Sequence, residues 1–231
     1  MNGILLIDKP SGWTSFDVVN KVRRLIEQNG LNTTNKKRFP VGHTGTLDPL
    51  ATGLLVLMCG TYTKKVPEYT KLDKTYDVTM RLGVTSTTGD EEGEKTITSS
   101  KVPTIEEIHI ACARFEGDIM QTPPVFSAIK INGQRAYKLA REGKAPDMQP
   151  RPAHIDRIIV TKYEYPFVYF TAHVSSGTYI RSLVEDMGKI VDTGAYMTAL
   201  RRTRVGKFSV TKAAVVEGLS AQKIQDHLLF E

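Results

Sequence analysis

The chain of 231 residues is long enough for one domain, or for one domain with a small appendage. Hydrophobic residues make up 40% of it and charged residues 24%, an ordinary globular balance that argues against intrinsic disorder. The net charge of +6 is compatible with a polyanionic partner, although charge alone favours a protein that merely has spare lysines.

The charged residues are segregated along the chain. Basic residues are concentrated in residues 36–38, 130–151 and 201–207, whereas acidic residues gather in residues 90–94. This segregation indicates one positive face, although a single charged run is more often a solvated surface.

The cysteines and the apolar runs bear on the compartment. Cys59 and Cys112 each lie in an apolar run and do not form a C-x-x-C pair, so we expect reduced core residues in a cytoplasmic protein. The N-terminal apolar run is too short for a signal peptide and has no basic region before it. No apolar segment has the length of a membrane span.

The first quarter of the chain predicts a strand, a helix and a second strand. Residues 4–7 are typical of a buried strand, and Thr14 or Ser15 can cap the helix that follows. A loop from Gly42 to Gly53 then leads into residues 54–59, which are typical of a central strand. The apolar stripe predicted for the helix consists of Phe16, Val19, Val22, Leu25 and Ile26.

Residues 74–82 alternate strictly, which predicts a strand with Tyr76 on its apolar face. Residues 85–103 are polar and predict a hairpin or loop, and Thr104 and Glu107 have the spacing of a capping box at a helix start. The other predicted elements are extended chain over 115–132, strands over 155–160, 168–174 and 204–210, and helices over 136–142, 180–191 and 221–229. Because strands and helices do not alternate regularly, we predict an α+β fold with a mixed or antiparallel central sheet.

The loop from Gly42 to Gly53 is the strongest local signal for chemistry. Its three glycines permit backbone conformations that other residues avoid, and Pro49 keeps Asp48 out of the helical region. A carboxylate on a rigid loop beside a buried strand suits preorganised chemistry. An aspartate that only hydrogen-bonds its own turn would show the same pattern, and spacing alone leaves both interpretations open.

Residues 41–55, VGHTGTLDPLATGLL, resemble the signature of the TruB family of tRNA pseudouridine-55 synthases. Further blocks agree with the same family and follow its order over roughly residues 1–210. These blocks are Asp8–Ser15, Lys74–Tyr76, Gln121–Gly143, Ser176–Leu183 and Leu200–Thr203.

The resemblance implies a pseudouridine synthase fold in a catalytic domain over residues 1–213. A thumb that clasps RNA would lie at about residues 121–152. Residues 214–231 would be a short tail, too short for the PUA-type RNA-binding domain of many family members. The implied reaction isomerises uridine 55 in the T loop of tRNA, in a monomeric enzyme without an obligate protein partner. A non-catalytic tRNA-binding or folding protein on the same scaffold is the alternative.

The resemblance also assigns roles to individual residues. Asp48 would be the catalytic aspartate, either as nucleophile toward the sugar or as base, while Tyr76 would stack on the target base and Arg181 would pair with Asp48. The substrate-binding residues would be His43, Lys64, Tyr76, Tyr179 and Leu200. Without the family, core packing is the favoured interpretation of Tyr76, and a solvated helix arginine is the commoner interpretation of Arg181. For Leu200, core packing and a place in the uracil pocket are compatible with each other. No cofactor is implied, and the five histidines show no metal-ligand spacing.

Overall fold

The computed structural model describes residues 1–32, 37–127, 129–131, 133–144 and 146–230, so Lys36 of the basic segment 36–38 lies outside the described residues. The helices are α1 (Ser15–Gln28), α2 (Val66–Thr70), α3 (Ile105–Ala113), α4 (Ala136–Arg141), α5 (Ile180–Ile190) and α6 (Ala221–Asp226). The strands are β1 (Gly3–Lys9), β2 (Val41–His43), β3 (Thr52–Cys59), β4 (Lys74–Leu82), β5 (Val84–Ser86), β6 (Lys95–Ile97), β7 (Gly117–Gln121), β8 (Lys130–Ile131), β9 (Gln134–Arg135), β10 (Arg151–Glu164), β11 (Phe167–Val174), β12 (Ala195–Val205), β13 (Phe208–Ser209), β14 (Ala214–Val215) and β15 (Leu228–Leu229).

The chain divides into two compact units. Unit 1 consists of Met1–Tyr76 with Leu200–Glu231, and unit 2 consists of Asp77–Ala199. Strands β4 and β12 each contribute residues to both units. Each unit is described below by itself.

The sheet of unit 1 is mixed. Strand β3 pairs antiparallel with β1 and parallel with β12, and β1 also pairs parallel with β14. Alternate side chains of β1 and β3 enter two hydrophobic clusters, because successive residues of a strand point to opposite faces. Leu5 and Leu57 pack in the cluster that contains the apolar face of α1, and Leu6 and Val56 pack in a second cluster with Phe208.

Helix α1 begins as predicted and buries a slightly different stripe. Thr14 and Asp17 form a complete capping box, which confirms the predicted cap. Val18, Val22 and Ile26, spaced by four residues, are buried together with Val19. Phe16 is 59% exposed, so its predicted place in the stripe is wrong. It precedes Val18 by two residues and therefore lies on the other side of the helix.

The strands of unit 2 follow the order β4, β11, β10 and β7, and the long pair of β10 and β11 is antiparallel. Alternate residues of β4 are buried, which confirms the predicted strand over 74–82. Strands β5 and β6 form the hairpin predicted within residues 85–103. Thr104 and Glu107 make both hydrogen bonds of the predicted capping box at α3. The mixed strand pairing of unit 1, the antiparallel pairs of unit 2 and the helices beside them confirm the α+β fold that the sequence predicts.

The C-terminal elements differ from the prediction. Instead of one strand over 204–210, β12 ends at Val205 and a turn at Gly206 leads into β13. The backbone N–H of Gly206 donates to the backbone oxygen of Asp73 (2.8 Å). The helix predicted over 221–229 ends at Asp226. Leu228 and Leu229 instead pair with β1, which places Leu228 in the core.

Both cysteines are buried, as predicted. Burial raises the pKa of the Cys59 thiol to about 12, so this thiol stays protonated at neutral pH. None of the described helices combines the length and the apolar character needed to cross a bilayer.

Candidate active site

Asp48 lies on the loop between β2 and β3, directly before the central strand of unit 1. The backbone N–H of Ala51 donates to the backbone oxygen of Asp48 (3.1 Å), which closes a tight turn around Pro49. The Asp48 side chain is half-buried. The predicted setting, an acid on a short turn beside a buried strand, is therefore confirmed.

The first residue of α1 fastens the residue before Asp48. The Ser15 hydroxyl donates to the backbone oxygen of Leu47 (2.9 Å) and accepts from its N–H (2.8 Å). Ser15 and Leu47 are both buried, so water does not compete for these two bonds. The turn is thereby attached to the N-terminal end of a packed helix.

Lys9, at the end of β1, fastens the other side of the turn. Its buried ammonium donates to the backbone oxygens of Pro10 (2.9 Å), Trp13 (2.6 Å) and Pro49 (3.2 Å). Burial lowers the pKa of Lys9 to about 8, and the Asp48 carboxylate partly opposes this shift. A buried cation therefore stands next to the turn and interacts electrostatically with Asp48.

Arg202 lies on β12, which pairs with β3, and its side chain binds the loop that precedes β3. Its guanidinium donates to the backbone oxygens of Leu54 (Nε, 2.8 Å), Gly45 (Nη2, 3.0 Å) and Thr46 (Nη1, 3.4 Å). Gly45 and Thr46 precede Asp48, and Leu54 follows it. One side chain therefore holds both arms of the loop, the residues before Asp48 and those after it.

The other predicted residues of unit 1 lie on the strands and turns around this loop. His43 ends β2 and is half-buried, and Tyr76 is buried on β4. Leu200 is half-buried on β12, and its backbone oxygen accepts from the Thr52 hydroxyl (3.5 Å). Lys64 is exposed in the 3₁₀ helix Gly60–Lys65.

Arg181 of unit 2 is buried in the first turn of α5, with 7% of its surface exposed. Its guanidinium is 3.4 Å from Asp90 and donates to the backbone oxygens of Thr88 (3.2 Å) and Phe126 (2.8 Å). Asp90 also accepts from the backbone N–H of Glu92 (3.0 Å). The alternative of a solvated helix arginine is therefore wrong, and the pairing of Arg181 with Asp48 stays a prediction.

Tyr179, the N-cap residue of α5, is fixed by Gln121. The Gln121 side chain accepts from the backbone N–H of Tyr179 (2.7 Å) and donates to its backbone oxygen (3.0 Å). Nearby, the Ser182 hydroxyl donates to the backbone oxygen of Thr122 (2.8 Å). With the Arg181 bond to Phe126, these contacts attach the start of the predicted thumb to α5.

Beyond this attachment the predicted thumb consists of the hairpin β8–β9, helix α4 and the chain that leads to β10. Its basic side chains share one property, exposure to solvent. They are Lys130, Arg135, Lys138, Arg141, Lys144 and Arg151. Lys144 pairs with Glu142 (2.7 Å), an exposed contact of little energetic weight.

Sequence reasoning overlooked the residues that hold the predicted ones in place. Arg202 was included in a basic cluster and Asp90 in an acidic run, and both are buried. Lys9 ends a strand that is buried along its length, and that position is the signal that could have shown its burial. Ser15 was considered only as a helix cap, and Gln121 carried no sequence signal beyond its presence in a motif block.

Comparison with known proteins relates the chain to one family. The sequence model of the TruB family pseudouridylate synthase (N terminal domain) matches residues 32–180, and that of the tRNA pseudouridylate synthase B C-terminal domain matches residues 181–229. A protein of Gluconacetobacter diazotrophicus named tRNA pseudouridine synthase B is 45% identical over 218 residues, which are 94% of this chain and 68% of that protein. The protein of the same name from Chloroherpeton thalassium is 43% identical over 93% of this chain and 88% of its own length.

Two solved structures share the fold. "Crystal Structure of a Cbf5-Nop10-Gar1 Complex" superposes with a TM-score of 0.70 at 29% identity, over 94% of this chain and 53% of that chain. "Structure of H/ACA RNP bound to a substrate RNA containing 2'-deoxyuridine" gives 0.67 at 27% identity, over 94% and 52%. This chain spans about half the length of those two chains. The fold and the sequence matches define a pseudouridylate synthase. The chain belongs to the TruB family.

Proposed function

We propose that this protein isomerises uridine 55 in the T loop of tRNA to pseudouridine, with Asp48 as the catalytic residue. One observation carries the proposal. Asp48 occupies the family motif on a turn that Ser15, Lys9 and Arg202 fasten through backbone atoms. Such preorganisation is what a reacting carboxylate needs, because small misplacements of reacting groups cost large factors in rate.

The reaction balances without an external donor or acceptor of electrons. The bond from N1 of uracil to C1′ of the ribose breaks, the base turns, and a bond from C5 to C1′ forms. The proton lost from C5 is matched by one gained at N1. The Asp48 carboxylate suits attack on the sugar or proton abstraction, and both are open to a carboxylate on a fixed turn. Tyr76 would stack on the base and assist in removing the C5 proton.

The remaining site residues would bind the displaced nucleotide and the RNA backbone. Tyr179 and Leu200 would line the site of the flipped uridine, and His43 would fill the space that it leaves in the T loop, since extruding a base costs a few kcal/mol. Lys64 would contact a phosphate, and Arg181 would pair with Asp48 and favour its ionised form.

The predicted thumb would close on the T stem-loop. Six exposed basic side chains over residues 130–151 support this role, because each phosphate they neutralise releases counterions. Binding should therefore weaken steeply with salt. The enzyme is proposed to act as a cytoplasmic monomer without a cofactor, and with a catalytic domain over residues 1–213.

A single assay tests the proposal. Unmodified tRNA transcript is incubated with wild type, with Asp48→Asn or with Asp156→Asn, an exposed aspartate of β10 that serves as control. Carbodiimide modification and primer extension then locate pseudouridine. We expect a stop at uridine 55 with wild type and Asp156→Asn, also in the presence of a chelator, and none with Asp48→Asn. Wild type that binds tRNA and gives no stop would favour the non-catalytic binding protein.

A further inference from the structure

Arg202 is buried beside the Asp48 loop, and its guanidinium donates hydrogen bonds to backbone oxygens on both sides of Asp48. We propose that Arg202 is a positioning residue, which holds the two arms of the Asp48 loop at the spacing that the reaction requires. This inference rests on the proposed function and adds to it a residue that neither touches the substrate nor reacts.

The positions of the three acceptors explain why an arginine stands here. Gly45 and Thr46 lie three and two residues before Asp48, and Leu54 lies six residues after it. The guanidinium presents five N–H donors in one rigid plane, so it reaches both arms at once. The single ammonium of a lysine, or the amide of a glutamine, is too compact to span the same acceptors.

The burial of Arg202 makes this arrangement stiff. Only 2% of its surface is exposed, and the hydrogen bonds described for its guanidinium go to backbone oxygens. A buried charge is tolerated only where hydrogen bonds compensate it, and here the loop carbonyls are the compensation. If the loop moved, the buried charge would lose these hydrogen bonds. Displaced conformations of the loop are therefore higher in free energy than the observed one.

The backbone of the same residue also approaches the loop closely. Arg202 pairs with Gly53 in the parallel register of β12 and β3. Gly53 has φ of +99°, and a Cβ there would lie 2.3 Å from the Arg202 backbone oxygen. The strand that carries Arg202 is thus in direct backbone contact with the C-terminal arm of the loop.

The preceding arginine provides a matched control. Arg201 is half-buried and forms two hydrogen bonds with the Asp8 carboxylate on β1 (3.0 and 2.7 Å). It therefore joins two strands and makes no described hydrogen bond to residues 44–51. Adjacent residues of the same type thus act on different parts of unit 1.

The test compares Arg202→Lys, which keeps the charge, Arg202→Gln, which keeps a planar donor, and Arg201→Lys. Single-turnover rates on tRNA and Kd for tRNA are measured well below the unfolding temperature of each variant. We expect both Arg202 variants to lower the rate by about 10- to 100-fold with Kd changed less than about 2-fold, because the carboxylate is misplaced while the RNA surface stays intact. Arg201→Lys should stay within about 2-fold of wild type in both quantities.

Amide hydrogen exchange over residues 44–54 gives a second readout that is independent of catalysis. We expect faster exchange of this segment in both Arg202 variants than in wild type or Arg201→Lys, with exchange of α5 unchanged. If only one Arg202 variant folds, that variant alone decides the outcome. Wild-type rates in both Arg202 variants, or faster exchange throughout unit 1 together with weaker tRNA binding, would overturn the positioning role. A wild type without activity would refute the proposed function, and the exchange data would then decide on Arg202 by themselves.

Discussion

The side-chain amide of Gln121 pairs with the backbone of Tyr179 in the manner of a neighbouring strand. Its oxygen accepts from the Tyr179 N–H at 2.7 Å and its nitrogen donates to the Tyr179 backbone oxygen at 3.0 Å. Gln121 is buried, and it ends β7 where the predicted thumb begins. The residue proposed to line the nucleotide site is therefore held by a side chain from the base of the RNA-binding segment.

Replacing Gln121 with Glu should destabilise the protein by about 1–3 kcal/mol. The new side chain has the same shape, but it places an acceptor against the Tyr179 backbone oxygen and loses a buried donor. Urea unfolding measures the change. Gln222→Glu, at an exposed position of α6, should stay within about 0.5 kcal/mol of wild type, and equal effects of the two substitutions would contradict the proposed importance of the Tyr179 contact.

Asp90→Asn should cost about 3 kcal/mol of stability and also lower activity. Arg181 and Asp90 are both buried, and removing one partner of a buried pair leaves the other charge poorly compensated. Thermal or urea unfolding gives the first quantity, and the single-turnover rate on tRNA gives the second. The control is Asp186→Asn, because the pair of Asp186 with Lys189 is exposed and should contribute less than about 0.5 kcal/mol.

Gly53→Ala and Gly117→Ala separate a steric clash from backbone strain. The two glycines have nearly the same φ, +99° and +96°, but only Gly53 faces a close backbone atom, while the space around Gly117 is open. We expect Gly117→Ala to cost about 1 kcal/mol, and Gly53→Ala at least about 3 kcal/mol or failure to fold. Equal losses in urea unfolding would show that the close approach to Arg202 is unimportant.

Lys9→Met should alter how stability depends on pH. The pKa of Lys9 is about 8 in the folded protein and 10.5 in an unfolded chain, so between these values the unfolded state binds a proton that the folded state lacks. Below about pH 8 both states are protonated, and the cost of burying the charge is present in full. The free energy of unfolding contributed by Lys9 then rises as pH increases from about 8 to 10.5.

The size of this effect follows from the shift in pKa, which corresponds to about 3 kcal/mol. Urea unfolding of wild type and Lys9→Met across this pH window measures the effect. The free energy of unfolding of wild type should rise relative to that of Lys9→Met as the pH increases. Lys71→Met, at an exposed position, corrects for the general loss of a lysine. A constant difference between wild type and Lys9→Met would show that Lys9 titrates at its ordinary value.

Several elements could be predicted because short-range patterns determine them. The alternation around Tyr76 identified β4, and the pair of Thr104 and Glu107 identified the start of α3. The turn at Asp48 follows from a proline and glycines that restrict or permit particular backbone conformations. Leu228 was misplaced in a helix, because its pairing with β1 joins residues more than two hundred positions apart.

By itself the sequence determined the family motifs, the α+β class and the position of Asp48 on a turn, since these depend on residue type and local spacing. Only the tertiary structure decided which charged residues are buried and what they hold. In the sequence, Lys9, Arg202 and Asp90 look like any exposed charged residue. In the folded chain they differ because backbone oxygens, N–H groups or an opposite charge surround them. Burial of a charge is stable only with such partners, and the folded chain alone brings these partners together.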